Sequence, residues 1–337
     1  MRIAPRRRIA TAALCALSLA SGAGAARESL AAEPVFSFRA DHMVLDAAVS
    51  GSKVLVGTQS GRVDAFDWRD GSASGSLLAT RALEGAAFAP TVTSVATSPS
   101  GAACAVVSSD GRLQVFRLHE GRFSAALHRS ERTGLLLARF LDDNRLLVGD
   151  MRGEIALIEL ASGREVYRRQ LEYDPIYALA PSPDGRRVAV AFRSSRIQIL
   201  SADSGETQQV LKGHRDSVYG LVWLASDELA SASKDKSVLA WDLTGRHAEP
   251  RSLYAGDHYV TALGFDRRKG ILALPLQEHQ VGLLRLADGR MLRQLRGHSA
   301  PVQSLLFLED GERLVSAGND ARVLVWDLSD APEGMEQ

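Results

Sequence analysis

Seven short apolar segments recur at near-constant spacing, and this period restricts the folds open to the chain more than any other feature. They read VDAFDW from Val63, LQVFRL from Leu113, IALIEL from Ile155, IQILSA from Ile197, VLAWDL from Val238, VGLLRL from Val281 and VLVWDL from Val323. Subtracting successive starting numbers gives intervals of 50, 42, 42, 41, 43 and 42 residues. Such periods mark repeat architectures in which each unit buries its apolar faces against its neighbours.

Each unit reads as short strands separated by tight turns. SPSG (98–101), LDDN (141–144), SPDG (182–185), ASDE (225–228), DRRKG (266–270) and EDGE (309–312) fall between first and second strands. QSG (59–61) and SDG (109–111) fall between second and third strands. Pro, Asp and Gly suit such turns, Gly because it accepts positive φ. GREVYRRQLE (163–172) and GRMLRQLRG (289–297) supply a fourth strand. The pattern predicts an all-β fold: a seven-bladed propeller of four-stranded antiparallel blades over residues 34–329. The seventh unit has no fourth strand after Leu328, whereas PVFSFRA (34–40) precedes the first repeat. This N-terminal strand is expected to close the last blade.

Two units carry more. SASKDKSVLAWD (231–242) and SAGNDARVLVWD share a Ser, an Asp four residues later and a Trp six beyond it, and each follows a Gly-His pair. With their flanks, LKGHRDSVYGLVWLASDELASASKDKSVLAWD and LRGHSAPVQSLLFLEDGERLVSAGNDARVLVWD, they resemble the WD-repeat (Trp-Asp repeat) family. The resemblance implies two buried hydrogen-bonded chains, His214–Ser231–Asp235–Trp241 and His298–Ser316–Asp320–Trp326. The donor inventory agrees: indole N–H donates only, Ser donates and accepts, and a turn carboxylate accepts. A Ser, a His and an Asp together also suggest a hydrolase. However, the serines lie on strands without a nucleophile elbow or an oxyanion hole, so a structural role is expected. The other units place Phe66, Phe116, Ile158, Leu200 and Leu284 at the Trp position, where apolar packing is expected to replace the polar chain. Asp110 keeps the turn acid without the full set of partners.

Basic and acidic residues number 40 each, which argues against a nucleic-acid partner. The first residues carry four arginines, then the short apolar run IATAALCALSLA, then the small residues SGAGAA. This is the three-part pattern of a secretory signal over residues 1–25, followed by a linker at 26–33. Export to the periplasm with no membrane insertion is expected, by the general rather than the twin-arginine route, because no Phe-Leu follows the arginines. Residues 330–337 read as a tail. Cys104 then has no partner for an internal disulfide and reads as a small buried strand residue.

The same resemblance points to the face bearing the loops into first strands and between second and third strands. Aligned on Tyr219, the residues that begin the first strands are Leu45, Thr93, Leu136, Tyr177, Tyr219, Thr261 and Gln303, ringing the central channel. Tyr173, Arg215, Asp216 and Tyr259 lie in nearby loops. Aromatic residues suit protein recognition, and ordinary packing at strand starts is the competing reading. Asp257, His258, Glu278 and His279 in the sixth unit are weak metal-ligand candidates by residue type, without a known spacing. No catalytic residue and no cofactor is expected. The expected function is a monomeric, non-catalytic protein-interaction scaffold in the periplasm, accessory to a respiratory or envelope complex. The alternative is a propeller hydrolase or lactonase with a metal at the channel face.

Overall fold

A computed structural model of the chain describes residues 33–78, 89–119, 122–130, 134–247, 249–309 and 311–329. The expected signal segment 1–25, all of the linker but its last residue, and the tail 330–337 lie outside the described residues.

Among the described residues there are seven four-stranded antiparallel sheets; six are meanders of consecutive strands, and the seventh sets the N-terminal strand beside the last one. Strand β1 (Phe36–Arg39) comes first, and blade one follows with β2 (Val44–Ser50), β3 (Lys53–Thr58), β4 (Arg62–Asp67) and β5 (Ala73–Leu78). Blade two is β6 (Val92–Thr97), β7 (Ala103–Ser108), β8 (Arg112–His119) and β9 (Arg122–Ser130). Blade three is β10 (Leu135–Phe140), β11 (Arg145–Asp150), β12 (Glu154–Glu159) and β13 (Arg164–Gln170). Blade four is β14 (Ile176–Pro181), β15 (Arg187–Phe192), β16 (Ile197–Ser201) and β17 (Thr207–Leu211). Blade five is β18 (Val218–Ala225), β19 (Glu228–Ser233), β20 (Ser237–Asp242) and β21 (Arg251–Ala255). Blade six is β22 (Gly264–Asp266), β23 (Ile271–Pro275), β24 (Val281–Arg285) and β25 (Met291–Leu295). Blade seven is β26 (Val302–Phe307), β27 (Arg313–Gly318) and β28 (Arg322–Asp327), and β1 completes it. The seven-bladed expectation holds, and so does closure by the N-terminal strand.

Strand periodicity explains the stacking. Successive side chains point to opposite sheet faces. Both faces of the second and third strands are buried, so these read as apolar runs such as ILALP on β23, whereas outer strands such as β13 and β17 are largely exposed. On β28, Leu324 and Trp326 pack with blade six, while Val323 and Val325 pack with blade one. The buried apolar residues form seven clusters, one at each blade-to-blade contact. Phe66, Phe116, Ile158, Leu200 and Leu284, which stand where the two special blades have Trp, are all buried.

Blade six departs from the expected form. Its first strand should start near Thr261, but the ladder begins at Gly264. The register Gly264↔Ala273, Phe265↔Leu272 would next but one set Ala262 opposite Pro275. Proline has no N–H to give to a ladder, and the pairing stops short of it. Thr261 instead donates its hydroxyl to the carbonyl of Val302 in blade seven, at 3.0 Å.

In the closing pair, Phe36 lies opposite Val325 and Phe38 opposite Val323. Phe38 is buried and stacks on Phe66 of blade one with ring centroids 4.8 Å apart. A single side chain thus joins the last blade to the first. Phe38→Ala is expected to destabilise the protein by about 3 kcal/mol or more in urea unfolding, the usual range for emptying a buried Phe site. A loss well under 1 kcal/mol would show that β1 does not hold the circle closed.

Cys104 lies on β7 within the contact between blades one and two, and burial alone pushes its thiol up to about 12. A thiolate is the reactive form. Cys104 in the native protein is therefore expected to resist thiol-labelling reagents at pH 8 and to react at once in denaturant. Rapid labelling of Cys104 in the folded protein would contradict this placement.

Candidate functional site

The two polar chains form as expected. In blade five, Trp241 Nε1–H donates to Ser231 Oγ at 2.7 Å, and Ser231 Oγ lies 2.7 Å from His214 Nε2. The indole can only donate, and Ser231 has no other acceptor in reach, so its hydroxyl donates to Nε2. This fixes the imidazole as the neutral Nδ1–H tautomer, which donates to Asp235 Oδ2 at 2.8 Å. Blade seven repeats the order. Trp326 Nε1 to Ser316 Oγ is 2.8 Å, Ser316 Oγ to His298 Nε2 is 2.8 Å, and His298 Nδ1 to Asp320 Oδ1 is 3.0 Å. The carboxylates also accept backbone N–H groups, Arg215 and Ser237 on Asp235, and Ser299 and Arg322 on Asp320. Each carboxylate thereby ties the loop entering its blade to the turn between second and third strands.

This resembles a hydrolytic triad in composition only. Ser231 and Ser316 have no exposed surface, and their oxygens are capped by indole N–H groups. No substrate carbonyl can reach them.

Burial pushes both imidazoles below their ordinary value of 6.5, although the carboxylates oppose the shift. Burial alone would raise Asp235 and Asp320, but their hydrogen bonds outweigh it and hold both below 3.8. For each group the unfolded chain binds the proton more readily than the folded one. Stability is therefore full above about pH 6.5, falls as the histidines become protonatable in the unfolded state, and falls again below about pH 4. Urea unfolding at pH 7.5 and pH 5.0 is expected to give a lower midpoint at the acid value. Ser316→Ala, which strands an indole N–H and a ring nitrogen, is expected to cost about 1–3 kcal/mol. A midpoint that does not change with pH, or a neutral Ser316→Ala, would remove the chains from the stability account.

Six of the seven residues aligned on Tyr219 share a structural cause. In six blades a β-bulge interrupts the first strand at that position: Leu45, Thr93, Leu136, Tyr177, Tyr219 and Gln303 are each skipped in the register. A bulge re-aims its side chain, and all seven, Thr261 included, are half-buried. Tyr177 and Tyr219 stack with centroids 5.1 Å apart and ring planes 10° from parallel. A cavity of about 460 Å³ runs through the centre, lined by Tyr177, Tyr219, Thr261 and Gln303 among others, but not by Leu45, Thr93 or Leu136.

Antiparallel meanders place the loops into first strands and those between second and third strands at one end of every blade. Tyr173, at 93% exposure, and Tyr259 stand on that face, as do the exposed Met43 and Met151. The Lys234 ammonium lies 5.7 Å from the Tyr259 ring centre and 3.9 Å from Asp216. Arg215 is exposed. The methionines were not anticipated from the sequence. At Gly153 (φ +80°) a Cβ would collide with the carbonyls of Glu172 and Asp174, so at this point the turn of blade three and the loop into blade four approach backbone to backbone.

Among the described residues no three His, Cys, Asp or Glu side chains converge as metal ligands. Asp257, His258, Glu278 and His279 are not gathered into one donor set. His258 stacks on Tyr259, Glu278 accepts from Gln280 Nε2 at 3.1 Å, and His279 Nδ1 is buried without a partner. Glu278 and His279 both take positive φ, 56° and 60°.

One cluster inside the channel was not foreseen. Asp46 Oδ2 accepts from Ser94 Oγ (3.0 Å), the Val95 N–H (3.0 Å) and Arg139 Nη1 (3.2 Å). Ser304 Oγ accepts the Ala47 N–H at 3.1 Å. Blades seven, one, two and three are thus joined across their inner strands. The repeat alignment marks these residues as polar departures, though not as partners of one another. The position after the bulge reads Asp46, Ser94, Leu137, Ala178, Gly220, Ala262 and Ser304, and Arg139 stands where other units have Ala, Val, Gly or Leu.

The model of the WD domain, G-beta repeat family matches residues 205–242 and 289–327, the two stretches that contain the polar chains. The chain is a WD-repeat β-propeller. Among its relatives is telomerase protein component 1 of Rattus norvegicus, 30% identical over 293 residues. That match covers 82% of this chain and 11% of the relative. The nuclear distribution protein PAC1 of Arthroderma benhamiae is 29% identical over 167 residues, 46% of this chain and 36% of its own length. The transcription factor unc-37 of Caenorhabditis elegans is 29% identical over 189 residues, 56% of this chain and 30% of its own. The chain therefore spans from about a tenth to about a third of the length of these relatives.

Proposed function

We propose that this WD-repeat propeller is a non-catalytic protein-interaction scaffold that is exported to the periplasm and serves a larger respiratory or envelope complex. The distribution of exposed apolar surface carries the reading. Among the described residues seven large apolar side chains are well exposed, and four of them, Met43, Met151, Tyr173 and Tyr259, belong to loops of one face. The other three, Val35, Val166 and Val210, lie beside or on outer strands at the rim. Exposed apolar groups gathered on one face mark an interaction site, and Met and Tyr are the residues that interfaces favour. The relatives support the general role: one is named as a component of telomerase. The N-terminal pattern of arginines, apolar run and small residues supports export.

The test is capture in the source cell. Cross-linking in intact cells is expected to retain a stoichiometric protein partner in the periplasmic fraction, with mature chain starting after Ala25. Tyr173→Asp combined with Met151→Asp is expected to reduce that partner at least tenfold, whereas Val166→Asp leaves it unchanged. Retention by the face variant and loss in the Val166 variant would move the site to the rim. Recovery of the chain only from cytoplasm, with residues 1–25 intact, would refute export.

A further inference from the structure

The channel holds an arginine with one edge of its guanidinium unused. Arg139 commits Nη1 to three acceptors: Ser94 Oγ at 2.9 Å, Asp46 Oδ2 at 3.2 Å and the carbonyl of Ala138 at 2.8 Å. Among the described residues its Nε and Nη2 have no hydrogen-bond partner. The side chain is 34% exposed and lines the central cavity. Asp46, by contrast, has both oxygens occupied, also accepting the Ala47 N–H at 3.0 Å on Oδ1. The pair therefore offers the cavity donors rather than acceptors. Nε–H and Nη2–H point in parallel, the spacing that meets both oxygens of a carboxylate.

Depth and charge narrow the ligand. Arg139 sits three residues in from the bulge at Leu136, but its guanidinium reaches Asp46 and Ser94, each one residue in from its own bulge. The free edge thus lies roughly 3 Å below the mouth by strand rise, within reach of a short acidic side chain. Lining the same cavity, the stacked Tyr177 and Tyr219 offer a flat surface for the residue that carries the acid. Asp46 limits the charge that fits, because a dianion would meet a fixed carboxylate close by.

We propose that the Nε–Nη2 edge of Arg139 receives an Asp or Glu side chain of a protein partner, inserted through the channel mouth beside Tyr177 and Tyr219. This rests on the reading that the loop face docks protein, and it specifies the partner's chemistry.

The test is selection of short peptides, displayed within a carrier so that no free C-terminus is offered, against the purified protein. Selected peptides are expected to share an acidic residue. Its replacement by the matching amide should weaken binding about tenfold or more in calorimetry, as loss of a charge-assisted pair would. Arg139→Lys keeps the charge opposite Asp46 but lacks the fork, and should weaken the parent peptide to a similar degree. The amide-for-acid comparison uses unaltered protein, so it decides the matter even if Arg139→Lys folds poorly. Peptides that lose binding with Tyr173→Asp, yet bind equally with the amide, would overturn the carboxylate assignment and leave the docking face standing. Peptides whose binding requires a free C-terminal carboxylate would overturn the side-chain assignment. Selected peptides without an acid, insensitive to Tyr173→Asp, would overturn both readings.

Discussion

A stack of sheets with both faces apolar has two ends that water must cover, and the pairing of β1 with β28 removes both. Four backbone pairs bring Phe38 under blade seven and against Phe66 of blade one. The seventh interface then becomes as dry as the other six. Everything else that gives the molecule a use depends on this closure. The central cavity exists because seven inner strands surround it, and the loop face is continuous because no gap interrupts it.

Within the closed circle, polar groups act as connectors at different radii. The Trp–Ser–His–Asp chains work inside single blades, running from an indole in the sheet to a carboxylate at the loop end. Each hydroxyl accepts from an indole and donates to a ring nitrogen, and the tautomer follows from the direction set by the indole. The Asp46–Ser94–Arg139 cluster and Ser304 work between blades at the inner edge. Five blades lack the full chain and rely on buried Phe, Ile or Leu at the same point. The circle tolerates this because the flanking clusters are apolar regardless. Polar chains in two blades thus add loop positioning to a core that packing already holds.

The face that these connectors support combines order with exposure. Bulges in six first strands turn Leu45, Thr93, Leu136, Tyr177, Tyr219 and Gln303 out of the ladder at a common level. Blade six has no such bulge in its ladder, because Pro275 ends the pairing early and Thr261 bonds to blade seven instead. Around this ring the exposed Tyr and Met side chains give a rim of adaptable apolar contact, with a guanidinium edge just inside.

The period of the repeats, the turn residues and the strand-length apolar runs determined the number of blades, their four-stranded form and the latch. They could do so because strand pairing within a blade is local and each blade needs only its neighbours. Gly-His and Trp-Asp at fixed offsets likewise revealed both polar chains, since all four groups belong to one short stretch. Interactions between blades were decided by tertiary structure alone. Asp46 meets Arg139 across 93 positions, and Ala47 meets Ser304 across 257. Nothing in either segment specifies the other until the circle brings their inner strands together. Which exposed side chains share a face was equally hidden, because Met43, Met151, Tyr173 and Tyr259 come to one face only through the common direction of the strands that carry their loops.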